Sequence, residues 1–215
     1  MGRKQYIVIG LGRFGTSVAE SLTSLGNDVL AIDIKEENAR HISDRVSHVI
    51  QADIKNEDIV ETLGLKDFDA AIVAIGEDVE ASCMAIIALK KQGVNHIIAK
   101  AKSHNSGKIL KAVGADKVIY PERDMGLRVA HNIFSSNVID FLEFSKEHSI
   151  VEVYAPSWTI GKTIEELHIR DKYHVNIVAI RNNENTNVDV QGSTIIKEKD
   201  ILIIIGKDKN ISDFK

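Results

Sequence analysis

The chain is poor in the residues that would place it in several common classes. One cysteine, Cys83, among 215 residues excludes an internal disulfide and fits a reducing compartment such as the cytosol. Two prolines and no low-complexity segment argue against disorder. A net charge of −4 without a basic block gives no support for nucleic acid binding. No apolar run approaches the length of a membrane span, so action at a membrane would require a partner.

Three glycines follow an apolar run of strand length at the start of the chain. Tyr6–Thr16 reads YIVIGLGRFGT, and a helical pattern begins at once. Gly10 allows a tight turn out of the strand, Gly12 allows close approach to a pyrophosphate, and Gly15 allows the helix to pack on the sheet. The helix N-terminus then presents unpaired N–H groups and partial positive charge to an anion. This pattern predicts nucleotide binding.

An acidic residue ends the second predicted strand, about twenty residues after the glycines. Asp33 follows the apolar run Val29–Ile32 and is placed to accept both hydroxyls of an adenosine ribose. A carboxylate there would repel a 2′-phosphate, so NADP is disfavoured. The alternative is that Asp33 caps the helix predicted over Lys35–Asp44.

Later strand ends extend the candidate site. Asp53 lies near the position of an adenine ring, where a contact with the base and N-capping of the next helix are equally good interpretations. Gly76 would let its loop pass close to the ligand. Arg13 adds a cation that plain dinucleotide enzymes do not need, which favours a ligand with more phosphate charge or a site shared between subunits. The predicted nucleotide site comprises Gly10, Gly12, Arg13, Phe14, Gly15, Asp33, Asp53 and Gly76.

Strand and helix patterns alternate from residue 5 to about residue 120. The predicted strands are Gln5–Ile9, Asp28–Ile32, His48–Gln51, Ala70–Ala74, Ile97–Lys100 and Lys117–Tyr120. The predicted helices are Phe14–Leu25, Glu36–Arg45, Asn56–Leu63, Val79–Gln92 and Lys108–Val113. Several strands are apolar throughout, as expected when helices cover both sheet faces. The alternation predicts an α/β fold with a Rossmann-like, doubly wound parallel sheet.

The alternation of strand and helix patterns ends at Pro121. Glu122–Phe144 shows no strand signal, and a break at Ser135–Asn137 predicts two helices. The many large apolar residues of this segment exceed what the sheet can cover and favour a dimer contact, although packing back on its own domain is the alternative. We therefore expect a nucleotide-binding domain over 1–122 and a helical crossover or dimerisation segment over 123–145.

The remaining residues, 146–215, predict a small α+β module. Strand patterns occur at Ser149–Tyr154, Val175–Arg181 and Ile201–Ile205, and Thr163 with Glu166 forms a plausible capping box. The module is too short to be the substrate domain of a dehydrogenase, and hydride transfer needs a substrate pocket with an acid–base group. We therefore expect a sensor rather than an enzyme. The rival interpretations are an NAD(H)-dependent oxidoreductase and a redox-sensing nucleotide module.

The ordered set of motifs resembles an RCK domain, the regulator of potassium channels and transporters. The resemblance rests on Tyr6–Gly15, Asp33, the Gln51–Asp53 and Ala71–Gly76 strand ends, and the segment GADKVIYPE ending at Glu122. The segments RDKYHVNIVAI and DILIIIG resemble the C-terminal RCK module. The resemblance covers essentially the whole chain. Within this family the chain is most similar to the gating subunits of bacterial Ktr potassium uptake systems.

The resemblance implies a homodimer that assembles into an octameric ring on the cytoplasmic side of a separate membrane potassium transporter. It implies ATP and ADP binding in the N-terminal cleft, with ATP favouring transport, and NAD(H) binding occurs across such folds. Arg13 would reach the γ-phosphate across a subunit boundary. Glu122 matches an acidic position that holds a cation at the dimer contact, so a divalent cation would accompany ATP.

Some relatives bind cyclic di-AMP between two C-terminal modules. By that resemblance Arg170, His174 and Asn176 would face the phosphates of the ligand, while Ile164 and Val175 would pack on its bases. The pattern is looser than that of the first site. An exposed arginine is the rule in proteins, so Arg170 as a solvated surface residue remains an equal alternative.

Overall fold

The chain folds into two compact units, residues 1–122 and 123–215. The computed structural model describes residues 2–56, 62–134, 138–145, 147–182 and 185–214. The strands of the first unit are β1 Gln5–Ile9, β2 Asp28–Asp33, β3 His48–Gln51, β4 Ala70–Val73, β5 Ile97–Lys100 and β6 Lys117–Ile119. Its helices are α1 Arg13–Ser24, α2 Glu36–Ile42, α3 Val79–Lys91 and α4 His104–Val113, with a 3₁₀ turn at Leu65–Asp67. Helix α5, Pro121–Phe134, begins with the last two residues of the first unit and continues in the second.

The first unit is the predicted doubly wound sheet. Its six strands lie in the order β3-β2-β1-β4-β5-β6, and every pair is parallel. Ile7 and Ile9 pack into one core cluster, whereas Val8 between them packs into a second cluster with Ala19 of α1. Burial on both faces explains why the strands are apolar throughout.

The strand order reverses at the centre of this sheet and positions the candidate site. Strand β1 lies between β2 and β4, and the chain leaves β1 and β4 toward opposite edges. Loops at the carboxyl ends of such neighbouring strands diverge, which opens a crevice where ligands of open α/β sheets bind. The glycine loop follows β1, Asp33 ends β2, and Gly76 follows β4.

Most predicted elements of this unit agree with the structure to within about a residue. Two helices do not: α2 ends at Ile42 rather than at Arg45, and α4 begins at His104 rather than at Lys108. Ser103 caps α4 by accepting from the backbone N–H of Ser106, whose hydroxyl accepts in return from Ser103. A serine at this position replaces the Glu or Gln that marks a typical capping box. The helix predicted over Asn56–Leu63 falls largely outside the described residues.

The second unit is a small α+β module built on an antiparallel sheet. Its strands are β7 Val138–Ser145, β8 His148–Tyr154, β9 Val175–Arg181, β10 Thr186–Asn187 and β11 Ile201–Lys207, in the order β10-β9-β11-β8-β7. Its helices are α6 Ile164–Leu167, α7 Ile169–Tyr173 and α8 Asp208–Phe214, with a 3₁₀ turn at Ser157–Thr159. One sheet face supplies Val151, Val153, Leu202 and Ile204 to the core.

The prediction of two helices over Glu122–Phe144 is wrong in its second half. The segment is helical to Phe134, and Val138–Ser145 is strand β7, which pairs antiparallel with β8. The segment is rich in β-branched and aromatic side chains, which favour strands, and Phe141 packs against the module core. The expected break at 135–137 lies outside the described residues.

The end of the chain is held by aromatic side chains distant in sequence. Trp158 stacks on Tyr173 with ring centroids 5.3 Å apart, and both rings contact Phe214 edge-on at 5.5 and 5.4 Å. Phe214 is fully buried, so helix α8 is part of the core. Within the described part of the chain, no helix combines the length and apolar character required to cross a bilayer.

Candidate nucleotide-binding cleft

The glycine loop is built so closely that two of its glycines cannot be replaced freely. Gly10 has φ 91°, and a methyl group added there would lie 3.0 Å from the backbone carbonyl carbon of Ala74. A methyl group on Gly15 would lie 1.9 Å from the carbonyl oxygen of Gly10. Gly10 therefore makes the turn, and Gly15 brings helix α1 against that turn and the end of β4.

Gly12 differs because nothing lies within 4 Å of the position of an added methyl group. It is the N-cap residue of α1, and no side chain caps the helix. The N–H groups of the first helical turn have no intrahelical acceptor. This end of α1 is accordingly open, and its backbone N–H groups and helix dipole are of the kind that can receive an anion.

Asp33 joins the end of β2 to the glycine loop. Its carboxylate accepts from the backbone N–H groups of Leu11 at 2.6 Å and Lys35 at 2.8 Å, and from the Asn38 side chain at 3.1 Å. The N-cap of α2 is Lys35, so the alternative that Asp33 caps this helix is wrong. Asp33 is only 8% exposed, which shows that the protein itself orients the carboxylate.

A cleft of about 410 Å³ opens at these strand ends. Of the predicted nucleotide site, Gly10, Gly12, Asp33, Asp53 and Gly76 line it. Gly15 is buried beneath the loop, and Arg13 and Phe14 begin helix α1 outside the lining. The lining residues that sequence reasoning missed include Asn38, Lys35 and Lys55. The sequence feature that could have identified these three residues is their position shortly after the ends of β2 and β3.

The far wall of the cleft is organised by Asp53 and Asp78. The Asp53 carboxylate accepts from the backbone N–H of Lys55 at 3.0 Å, which shapes the turn after β3. Asp78 caps α3 by accepting from the N–H of Ala81 at 2.9 Å, and this bond lowers the pKa of Asp78. The Lys55 ammonium lies 3.1 Å from Asp78, so an ion pair links the loops after β3 and β4.

Glu122 and Lys100 form an ion pair at the end of β5. The Lys100 ammonium lies 2.6 Å from the Glu122 carboxylate and 5.9 Å from the centre of the Phe14 ring. The hydrogen bond from Lys100 holds the pKa of Glu122 below its ordinary value, and Arg13 contributes to the same shift. Among the described residues, no group of three or more acidic, histidine or cysteine side chains is arranged to hold a metal ion.

The second unit has a pocket of about 440 Å³ beside α6, α7 and β9. Four of the five residues predicted for a second ligand line it: Ile164, Arg170, Val175 and Asn176. The Arg170 Nε–H donates to the Asn176 side-chain oxygen at 2.7 Å, which orients the guanidinium. His174 ends α7 in a left-handed conformation, φ 53°, and is not part of this lining. His168 and Gly192 line the pocket and were missed.

The same two units are matched by two families. The TrkA-N domain model matches residues 6–121, and the TrkA-C domain model matches residues 148–215. The first match covers the six-stranded sheet and the glycine loop. The second covers all but one strand of the antiparallel sheet.

Several curated proteins are similar over the full chain. The Ktr system potassium uptake protein C of Bacillus subtilis (strain 168) is 44% identical over 213 residues, covering 99% of this chain and 96% of that protein. The Ktr system potassium uptake protein A of the same organism is 37% identical, covering 100% and 98%. Among solved structures, the GsuK channel bound to NAD is similar at a TM-score of 0.69 and 17% identity, covering 99% of this chain and 39% of that one.

Proposed function

Because this chain belongs to the family that joins a TrkA-N domain to a TrkA-C domain, as do the Ktr system potassium uptake proteins, we propose that it is a nucleotide-sensing regulatory subunit of a membrane potassium transporter. ATP favours transport and ADP opposes it. The single observation that carries the proposal is the uncapped N-terminus of α1 beside the anchored Asp33 carboxylate, at the centre of a sheet in a chain 44% identical to such a protein.

The arrangement supports an adenosine ligand with several phosphates. Asp33 would present its oriented carboxylate to the ribose hydroxyls, and Asp53, which lines the same cleft, would contact the base. Arg13, the first residue of α1, supplies a cation beside the phosphate position. ATP carries more negative charge than ADP, so this cation gives a physical reason for a difference in affinity.

The site acts by population shift rather than by catalysis. A ligand moves a protein between two conformations only through different affinities for them. We propose no enzymatic role, and the chain's similar proteins are named for potassium uptake. The alternative is an NAD(H)-binding oxidoreductase or redox-sensing module, favoured by the same Asp33 and glycine loop. An enzyme would change NADH absorbance in the presence of a substrate.

The exposed apolar side chains of the second unit support a homodimer. Met125, Leu127, Val129 and Ile133 of α5 are 47 to 78% exposed, as is Phe144 of β7 at 67%. A patch of this kind usually marks an interface. We propose that dimers assemble into an octameric ring on the cytoplasmic face of the membrane, where Arg13 reaches a neighbouring subunit's ATP and Glu122 takes part in holding a divalent cation.

The pocket of the second unit supports a second ligand with phosphates. Arg170, oriented by Asn176, offers a cation, while Ile164 and Val175 offer apolar surface for a base. We propose cyclic di-AMP as that ligand, by the resemblance of this module to those that bind it. His174 lies outside the lining of this pocket and would contact the ligand from beyond it.

The purified full-length chain tests the proposal directly. Mass measurement in solution with ATP, with ADP and without nucleotide is expected to give an assembly of eight subunits, and calorimetry is expected to give tighter binding of ATP than of NADH. A monomer that binds neither ATP nor ADP would overturn the proposal. Displacement of ATP by NADH at lower concentration would favour the redox-sensing alternative.

A further inference from the structure

Lys100 is a nearly buried cation that the proposed site does not yet use. It is the last residue of β5, and only 13% of its side chain is exposed. Lysine is almost never buried without a partner, and here Glu122 is the partner at 2.6 Å. The Phe14 ring and Gly76 also lie near the ammonium.

These surroundings place Lys100 beside the nucleotide cleft. A methyl group built on Gly76 would lie 3.6 Å from the Lys100 ammonium, and Gly76 lines the cleft. Phe14, whose ring centre is 5.9 Å from the same ammonium, is the second residue of α1. The ammonium therefore lies near Glu122, near a side chain of the first turn of α1, and near a residue that lines the cleft.

Phosphate can replace Glu122 as the partner of the Lys100 ammonium. Glu122 is 68% exposed, and an ion pair with a solvated carboxylate contributes little because water competes with the lysine for that carboxylate. Hydrogen bonds from a cation to phosphate are among the strong ones. The lysine stem is flexible and its ammonium has three donors, so the head group can turn without movement of β5.

We propose that Lys100 reads the phosphates of the bound nucleotide beyond the first, and that it exchanges its Glu122 partner for them. Nucleotide binding then leaves the carboxylate at the start of α5 without its cation, which links the phosphate state to that helix. This inference rests on the proposed adenine nucleotide binding and names a further residue that distinguishes among such nucleotides.

The chain supplies a matched control two residues away. Lys102 pairs with Glu77 of the cleft lining at 2.7 Å, but the two side chains are 66% and 86% exposed, so this pair is fully solvated. Lys100→Gln and Lys102→Gln remove the same charge from the same end of the sheet. A general electrostatic effect on ATP would appear in both variants, whereas a direct contact would appear in the first alone.

Calorimetry with ATP and AMP on the full chain and three variants tests the inference. Lys100→Gln is expected to weaken ATP binding about tenfold, the loss of one hydrogen bond between charged groups, and AMP binding less than about twofold. Lys102→Gln is expected to change neither. Glu122→Gln is compared with the wild-type chain in EDTA, so that the divalent cation proposed at Glu122 is absent. Under that condition the substitution frees the lysine and is expected to tighten ATP binding about threefold, the size of a solvated ion pair.

The two variants are expected to change ATP affinity in opposite directions. If Lys100→Gln folds poorly, Glu122→Gln still tests the inference, because a damaged fold does not tighten binding. Unchanged ATP affinity in Lys100→Gln, equal losses for ATP and AMP, or weaker ATP binding in Glu122→Gln would each overturn the inference. In the first two cases a wild-type chain that binds ATP leaves the proposed function standing. A wild-type chain that binds no adenine nucleotide would overturn both.

Discussion

The Asp33 carboxylate accepts a hydrogen bond from the backbone N–H of Leu11 at 2.6 Å, joining the end of β2 to the glycine loop across 22 residues of sequence. The residue expected to hold a ribose is thus also a structural support of the loop that would hold the phosphates. With the proposed ribose contact, ligand binding and loop geometry would be coupled at one side chain, and substitutions there must be chosen to separate them.

Two substitutions of Asp33 separate support from binding. Asp33→Asn keeps an oxygen for the buried Leu11 N–H but turns an NH2 group toward the Lys35 N–H. We expect the free energy of unfolding to fall by about 1 kcal/mol, while the lost charge weakens ATP binding about tenfold. Asp33→Ala leaves the Leu11 N–H buried without an acceptor and should cost about 1–3 kcal/mol. Urea denaturation and calorimetry give the two quantities.

The control for Asp33 lies at the opposite end of β1. Asp69 accepts from the backbone N–H of Gln5 at 2.8 Å, also between neighbouring strands, but away from the cleft. Asp69→Asn should leave ATP binding unchanged. Normal ATP affinity in Asp33→Asn would contradict a ribose contact.

The glycines of the loop predict opposite phenotypes. Gly15→Ala places a methyl group 1.9 Å from the Gly10 carbonyl oxygen, so it should cost at least about 2 kcal/mol of stability, as overpacking does. Gly12→Ala meets no atom within 4 Å and should cost less than about 1 kcal/mol. It should nevertheless abolish ATP binding, because its methyl group occupies the space offered to phosphate. A Gly12→Ala chain that binds ATP normally would contradict that placement.

Acid should destabilise the first unit through Asp116. The N–H of Ile97, 2.7 Å away, and Lys90 lower the pKa of this carboxyl below its ordinary value of 3.8. A depressed pKa stabilises the fold above the unfolded-state value, and this contribution is lost as pH falls through the folded-state value. We expect the urea concentration at the unfolding midpoint to decrease as the pH is lowered below about 4. Asp116→Asn should be less stable at neutral pH and should show a shallower acid loss, and an unchanged pH profile would contradict this assignment.

The first unit could be predicted from sequence because its signals are local. Each strand is a short apolar run, each strand end carries the glycine or acid that matters, and parallel order puts those ends at one edge of the sheet. Gly10, Asp33 and Gly76 therefore reach one cleft by topology alone. Lys100 also ends a strand, but its role depends on the direction of its side chain and on Glu122, which adjacency in sequence does not reveal.

The second unit was predicted less well because its order is set by distant contacts. Segment 138–145 was interpreted as helix from its apolar content, whereas its pairing with β8 makes it a strand. Helix α8 had no recognised signal, since its anchor is the contact of Phe214 with Trp158 and Tyr173. The capping box at Thr163 and Glu166 was predicted and is confirmed, because both partners lie within one turn.

The second pocket predicts a ligand response independent of the first. Arg170→Ala removes the guanidinium that Asn176 orients and should weaken cyclic di-AMP binding at least about tenfold, the loss of a charged hydrogen bond. ATP affinity should not change. Lys172→Ala, an exposed neighbour on α7, is the control and should bind both ligands normally. Cyclic di-AMP affinity is measured by calorimetry. Equal affinity in the two variants would contradict a ligand contact by Arg170 and would favour the alternative that it is a solvated surface residue.

Arg13 tests whether phosphate count is what the cleft measures. Its side chain is exposed at the first position of α1, so Arg13→Ala should leave the urea midpoint unchanged within about 0.5 kcal/mol. The ratio of ATP to ADP affinity should fall several-fold, because the extra charge of ATP loses its cation. Arg40→Ala, on the exposed face of α2, is the control for net charge. Equal ATP and ADP affinities in the wild-type chain would contradict the sensing mechanism, since a ligand pair that is not distinguished cannot shift a population.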